Sequence, residues 1–234
     1  MSGVRTALAR IWNAGLDMVF PPRCVSCKEF GAYICEACRP LISLAGAPRC
    51  NVCWTPEGER TCESCRYRRP AFTGARAAFV YDGPARDAVL ALKFEGLAAI
   101  AKTMAVPMAE RLIAWDPRVS AILPVPLAAT RKRSRGYNQS ELLAREIGRL
   151  TNLPVLTNAL VRSRATPPQV RQFDWEARRE NVARAFSAGS RRIDGGVLLV
   201  DDVITTGATL DACARVLHCA GAGPVFALTF ARED

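Results

Sequence analysis

Residues 197–210 read V-L-L-V-D-D-V-I-T-T-G-A-T-L. The short apolar run predicts a strand that is buried on both faces, as in a parallel sheet. Asp201, Asp202 and a loop rich in threonine follow at its carboxyl end, where open α/β sheets bind their ligands. Backbone N–H groups of such a loop bind anions where a helix begins, and two carboxylates suit sugar hydroxyls or Mg²⁺. The stretch therefore predicts an α/β fold with a sugar-phosphate site.

The composition is that of a globular protein with a basic surface. The chain has 234 residues, of which 50% are hydrophobic, so it is long enough for a full core and a small accessory unit. Its formal net charge of +10 favours an anionic ligand, such as a phosphate, a nucleotide or a nucleic acid.

Residues 1–20 are apolar at helical spacing, but Arg5, Arg10 and Asp17 interrupt them. This pattern predicts an amphipathic helix that packs on the chain or on a partner, and it does not fit an export signal. Because no long uninterrupted apolar window follows, we expect no membrane span and a cytoplasmic protein.

Residues 21–69 contain four C-x-x-C pairs. Two such pairs complete one tetrahedral site, so eight cysteines predict two structural Zn²⁺ ions. Sequential pairing of neighbouring knuckles is the simpler arrangement, and a cross-braced arrangement stays open. Disulfides fit less well because nothing marks the chain for an oxidising compartment, and four repeats do not fit a single redox motif. The predicted ligands are Cys24, Cys27, Cys35, Cys38, Cys50, Cys53, Cys62 and Cys65.

A basic stretch, R-Y-R-R at residues 66–69, ends the cysteine-rich segment, with Arg60 and Trp54 before it. Cations interleaved with aromatic residues can contact a nucleic-acid backbone and stack on bases. A solvated basic rim beside a structural ribbon is the simpler interpretation, because many zinc ribbons only mediate packing.

From residue 70 onward, α/β patterning replaces the cysteines. A second polar segment, T-R-K-R-S-R-G at residues 130–136, follows the predicted strand at 121–127. Arginine gives bidentate contacts to phosphate oxygens, and this basic loop should lie at the same sheet edge as residues 201–209. Residues 162–181 form a long polar segment with two central prolines, which predicts a lid over the site.

The order of these motifs resembles the ComF family, the competence-associated phosphoribosyltransferase-like proteins with an N-terminal double zinc ribbon. The resemblance rests on several motifs in a specific order. They are F-P-P-R-C-V-S-C at 20–27, the cysteine pairs, Y-D-G with L-K-F at 81–94, P-V-P-L at 124–127, R-G-Y-N-Q-S at 135–140, R-R-E-N-V-A-R-A-F at 178–186 and V-D-D-V-I-T-T-G-A-T at 200–209. The last of these is similar to the phosphoribosyl-diphosphate (PRPP) motif of type I phosphoribosyltransferases. One departure is Q-V-R-Q-F at 169–173, in the predicted lid, where relatives typically have Q-T.

The resemblance implies a type I phosphoribosyltransferase fold, with a mainly parallel sheet in residues 70–234. It also implies a role for each matching residue. Asp201 and Asp202 would bind the ribose hydroxyls of PRPP, directly or through Mg²⁺, and stabilise the transition state. The 5-phosphate would be held by Thr205, Thr206, Gly207, Ala208 and Thr209, and the diphosphate by Arg131, Arg133, Arg135 and Gly136.

Two functional hypotheses follow. In the first, the chain is a PRPP-binding, Mg²⁺-dependent phosphoribosyltransferase, a glycosyltransferase of unknown acceptor, linked by family resemblance to DNA uptake or use. In the second, it is a non-catalytic adaptor or nucleotide sensor that keeps the PRPP pocket and binds single-stranded DNA or competence proteins.

Overall fold

The computed structural model describes residues 21–56, 60–162, 185–190 and 193–234. Its strands are β1 (Gly74–Val80), β2 (Ala121–Pro124), β3 (Leu160–Arg162), β4 (Phe186–Ala188), β5 (Val197–Ile204) and β6 (Val225–Arg232). Its α-helices are α1 (Glu63–Tyr67), α2 (Gly83–Phe94), α3 (Ala101–Trp115), α4 (Ala129–Arg135), α5 (Gln139–Thr151) and α6 (Ala208–Cys219). Short 3-10 turns occupy Arg39–Leu41 and Ala98–Ile100.

The centre of the molecule is a parallel sheet in the order β1-β6-β5-β2. The central strand β5 is buried on both faces over residues 197–200, because it lies between β2 and β6 and has packed layers above and below. This confirms the predicted α/β fold with a mainly parallel sheet. A separate antiparallel pair joins β3 to β4.

Two apolar clusters cover the two faces of the sheet. Successive side chains of a strand point to opposite faces, and accordingly Leu198 belongs to one cluster and Leu199 to the other. The Leu198 face is covered by α2, α3 and α5, and the Leu199 face is covered by α6.

Each half of the cysteine-rich segment packs on a different face. The first ribbon, defined by Cys24, Cys27, Cys35 and Cys38, contributes to the Leu198 cluster. The second ribbon, defined by Cys50, Cys53, Cys62 and Cys65, contributes to the Leu199 cluster together with Trp54. The ribbons therefore flank the sheet on opposite sides.

The structure corrects one sequence prediction, that of a basic loop after β2. The basic segment after β2 is largely helical, as α4, because its alanine, arginine and lysine residues favour helix. The predicted amphipathic helix at residues 1–20 and the predicted lid at residues 162–181, beyond Arg162 itself, lie outside the described residues. Within the described parts of the chain, no helix is long and apolar enough to cross a membrane.

Candidate functional site

The eight cysteines of the C-x-x-C pairs form two four-sulfur groups. Within each group all four Sγ atoms lie within 4.8 Å of one another, and the groups are sequential, which settles the pairing against the cross-braced arrangement. A tetrahedral zinc site with Zn–S bonds of about 2.3 Å puts its sulfurs roughly 3.8 Å apart. The Cys27–Cys35 and Cys53–Cys62 Sγ distances of 3.5 and 3.6 Å fit that spacing. Both groups therefore suit a structural Zn²⁺.

The thiols of these groups cannot all ionise without a cation. In the first ribbon, burial and the neighbouring thiols raise the pKa of Cys38 to about 12. Burial also opposes ionisation of Cys24, but backbone N–H donors outweigh it and lower its pKa to about 6. In the second ribbon, burial raises the pKa of Cys62 to about 11. Burial also opposes ionisation of Cys50, but backbone N–H donors outweigh it and lower its pKa to about 6. A bound Zn²⁺ supplies the charge that holds four thiolates together.

Buried arginines join the second ribbon to the carboxyl end of β6. Arg49 makes a bidentate ion pair with Asp234, at 2.6 and 2.7 Å, and donates to the Trp54 carbonyl. Arg232 donates through Nη1 to the Cys53 carbonyl at 2.8 Å and through Nη2 to the Thr55 hydroxyl. These contacts fix the ribbon at the sheet edge where the PRPP-like motif lies.

The two acids at the end of β5 are held differently. Oδ1 of Asp201 accepts a hydrogen bond from the Ser140 hydroxyl at 2.7 Å and from the Asp202 backbone N–H at 2.9 Å. Asp202 is 3% exposed, and its Oδ1 lies 2.8 Å from Nζ of Lys93. Its buried Oδ2 has no hydrogen-bond partner among the described residues. That oxygen is therefore a buried acceptor whose loss of water no described donor offsets.

The ionisation of Asp201 is opposed by its surroundings. Burial, followed by repulsion from Asp202, raises its pKa from 3.8 to about 7, although Ser140 and Lys93 act in the other direction. Strongly perturbed acids of this kind are common at functional sites.

We expect Asp201→Asn to stabilise the protein at alkaline pH. Because the pKa of Asp201 is higher in the folded state, its protonated form contributes stability below about pH 4, and this contribution is lost as pH rises toward 7. The amide keeps an acceptor for Ser140 without the charge. After discounting for partial exposure, the melting temperature should rise by about 3–6 °C at pH 8 and little at pH 4 in calorimetry. Glu110→Gln, at an exposed position of α3, is the control. Equal shifts in melting temperature at pH 4 and pH 8 would contradict the raised pKa of Asp201.

A cavity of about 790 Å³ opens at the carboxyl ends of β2 and β5. Its volume is in the range of small-molecule sites. Acids come from the end of β5, and cations come from α2, α4 and β3. The lining includes Asp201, Asp202, Thr209, Lys93, Arg131, Arg135, Ser140 and Arg162. The acid pair and the basic segment, distant in sequence, thus face one another across one space.

Not every predicted residue lines this cavity. Within the described residues, Arg133 and Gly136 do not, and Thr205, Thr206, Gly207 and Ala208 line a second cavity of about 420 Å³ beside the second ribbon. Gly207 adopts φ +77°, a left-handed conformation that glycine reaches without strain. It lets the chain turn sharply from β5 into α6.

Sequence reasoning missed several residues of the large cavity. Lys93 reads as a solvated lysine near the end of a helix, yet it pairs with the buried Asp202. Ser140 lies in the helix start after the basic segment and reaches Asp201. The L-K-F and N-Q-S motifs were visible in the sequence, but only the sheet topology brings them to β5.

Comparisons with known proteins agree with this architecture. The Double zinc ribbon domain matches residues 15–68, and the Phosphoribosyl transferase domain matches residues 96–232. The fold and site thus define a phosphoribosyltransferase-type domain with an N-terminal double zinc ribbon.

Proteins similar to this chain over most of their length narrow the family assignment. Competence protein F of Haemophilus influenzae is 30% identical over 85% of this chain and 92% of its own length. DNA utilization protein YhgH of Salmonella typhi is 30% identical over 82% and 87% of the two chains. Competence protein ComFC of Streptococcus pneumoniae is 26% identical over 85% and 87%. The chain belongs to the ComF family, which confirms the resemblance drawn from its motifs.

Proposed function

We propose that this protein binds PRPP with Mg²⁺ in the large cavity and transfers its phosphoribosyl group to an acceptor. The observation that carries this proposal is one cavity with Asp201 and Asp202 on one side and Arg131 and Arg135 on the other. PRPP needs both: hydroxyl-binding acids for its ribose and cations for its diphosphate.

The acid side suits the ribose. Oδ2 of Asp202 is buried and unpartnered within the described residues, so a ribose hydroxyl or a Mg²⁺ ion would satisfy it. Asp201 and Asp202 would hold a Mg²⁺ ion, which would supply positive charge against the diphosphate. The two carboxylates and the Ser140 hydroxyl supply the hard oxygen donors that this ion prefers.

The basic side suits the diphosphate. Arg135 is oriented by Gln139, to whose Oε1 its Nη1 donates at 2.5 Å, and by the Phe94 ring, 5.5 Å from its guanidinium carbon. Arg131 lines the same wall from the preceding helical turn. We assign the diphosphate to this pair and to Lys93. Arg133 and Gly136 do not line this wall. Their proposed role is indirect, through the conformation of α4 and of its carboxyl end.

Catalysis would be electrostatic. As the bond from the ribose carbon to the diphosphate breaks, the cations stabilise the departing negative charge, and the acid pair stabilises the positive charge that develops on the ribose. Both sets of groups are held in place before reaction, which reduces the reorganisation cost. No covalent nucleophile is required. Residues 162–181 are proposed as the lid that excludes water from this step.

A second candidate function rests on a different surface. Tyr67 is 90% exposed, and Arg66, Arg68 and Arg69 are exposed beside it. Such a surface can bind single-stranded DNA by stacking and charge. Relatives named for competence and DNA utilisation favour a DNA-related role. In this alternative the chain would be an adaptor whose PRPP pocket acts as a sensor.

Turnover and DNA binding separate the two candidates. Purified protein is incubated with PRPP, Mg²⁺ and a panel of bases and ammonia, and diphosphate release is measured beside a salt-titrated single-stranded DNA binding assay. Acceptor-dependent diphosphate release supports the transferase. DNA binding with steep salt dependence and no turnover overturns it in favour of the adaptor.

A further inference from the structure

The smaller cavity lies between the second ribbon and the loop that follows β5. Residues 205–208 line one side of it, and Thr55, Ser64 and Arg68 line the other. The proposed 5-phosphate loop therefore faces the ribbon, and not only the ribose site. The C-x-x-C spacing does not predict this contact between loop and ribbon, because a zinc ribbon can stabilise a fold by packing on any of its faces.

Cationic groups converge on this cavity from both layers. Arg68 is an exposed residue directly after α1, and Arg232 is 7% exposed at the end of β6. The guanidinium of Arg232 is engaged on all three nitrogens: Nε lies 3.5 Å from Oδ1 of Asp234, and Nη1 and Nη2 donate to Cys53 and Thr55. Among the described residues, Asp211 is the one carboxylate that lines the cavity, and it is already occupied: Oδ1 accepts from the Ala71 N–H at 2.6 Å, and Oδ2 pairs with Arg215 at 3.3 Å.

The loop itself presents a backbone suited to an anion. Gly207 turns the chain so that the 12-residue helix α6 begins at Ala208. The first N–H groups of a helix have no helical acceptors; that of Ala208 donates to the Thr206 hydroxyl at 3.4 Å. A four-thiolate zinc site has a formal charge of −2, which repels phosphate. A positively charged side chain near the zinc site would offset that repulsion. Arg68 lines the cavity between the ribbon and the loop and can supply this charge.

We propose that the second ribbon is part of the phosphate subsite, with Arg68 donating to the 5-phosphate held by residues 205–209. This inference rests on the proposed binding of PRPP. It has a consequence for regulation: occupancy of the second zinc site and PRPP affinity are linked, and each stabilises the other. The first ribbon, on the opposite face of the sheet, is not linked.

The test compares Arg68→Ala with Arg69→Ala by calorimetric PRPP titration in Mg²⁺. Both variants lose one exposed positive charge in the same segment, but only Arg68 lines the cavity. Loss of one charge-assisted hydrogen bond predicts about tenfold weaker binding for Arg68→Ala and a less than about twofold change for Arg69→Ala. Zinc content and melting temperature should stay unchanged in both, which a merely structural role of Arg68 would not predict.

Zinc release gives an independent measurement on the wild type. PRPP should slow chelator extraction of one of the two zinc ions several-fold and leave the other unaffected. Equal PRPP affinity in both arginine variants, or unaltered release of both ions by a wild type that binds PRPP, would overturn this inference alone. A wild type that binds no PRPP would overturn the proposed function as well.

Discussion

Replacing Asp201 and Asp202 together by asparagine is expected to abolish measurable PRPP binding. Both carboxylates line the large cavity, and Asp202 keeps a buried oxygen free for a ligand. Hydrogen bonds to charged groups contribute about 1.5–3 kcal/mol each, so losing two should weaken binding by at least about a hundredfold. Isothermal titration of PRPP into each variant in Mg²⁺ measures the effect.

A control substitution far from the cavity tests whether the effect is specific to the acid pair. Asp116→Asn, at the exposed start of the segment before β2, removes one carboxylate away from the cavity and should bind like wild type. Lys93 loses its partner in the double variant, so circular dichroism should first show that the fold is retained. Equal PRPP affinity in wild type and double variant would refute the assigned roles of the acid pair.

Removal of zinc should destabilise the protein more than any single substitution in the sheet. Structural zinc contributes about 10–16 kcal/mol in isolated zinc-finger peptides, comparable with the whole stability of a domain. Metal analysis should find about two Zn²⁺ per chain. Extraction by a chelator should expose eight reactive thiols and lower the melting temperature by more than about 10 °C.

Paired cysteine variants separate the two sites. Cys62→Ser with Cys65→Ser should destabilise the protein strongly, since both sulfurs are buried in the Leu199 cluster. Cys24→Ser with Cys27→Ser should leave one zinc per chain, at the second site. A folded wild-type protein that contains no zinc and eight free thiols would contradict both assignments. Because protons compete for the thiolates, zinc retention should also fall on acidification.

Much of the fold follows from local sequence. The apolar run at 197–200 has the length and composition of a doubly buried strand, and C-x-x-C spacing limits the sulfur geometry to one metal. The family motifs then predict the sheet. Sequential pairing of the C-x-x-C knuckles was the simpler of the two arrangements that the sequence allowed. The structure has this arrangement, with neighbouring knuckles forming one four-sulfur group in each ribbon.

The site was only partly predictable, because it depends on contacts between distant elements. The motifs identified Asp201 and Arg135, whose chemistry is visible in the sequence. They did not identify Lys93, whose environment is set by the approach of α2 to β5. Nor did they indicate that residues 205–208 face the second ribbon, since that contact joins segments separated by about 140 residues and depends on packing at Arg232.

The central claim is that this cavity binds PRPP through its acids and cations with Mg²⁺. The most direct measurement is a titration of PRPP into the wild-type protein, once with Mg²⁺ and once in a buffer from which Mg²⁺ is left out, with no chelator added so that zinc stays in place. We predict one site per chain with micromolar affinity in Mg²⁺ and markedly weaker binding without it. No binding in either condition would contradict the account.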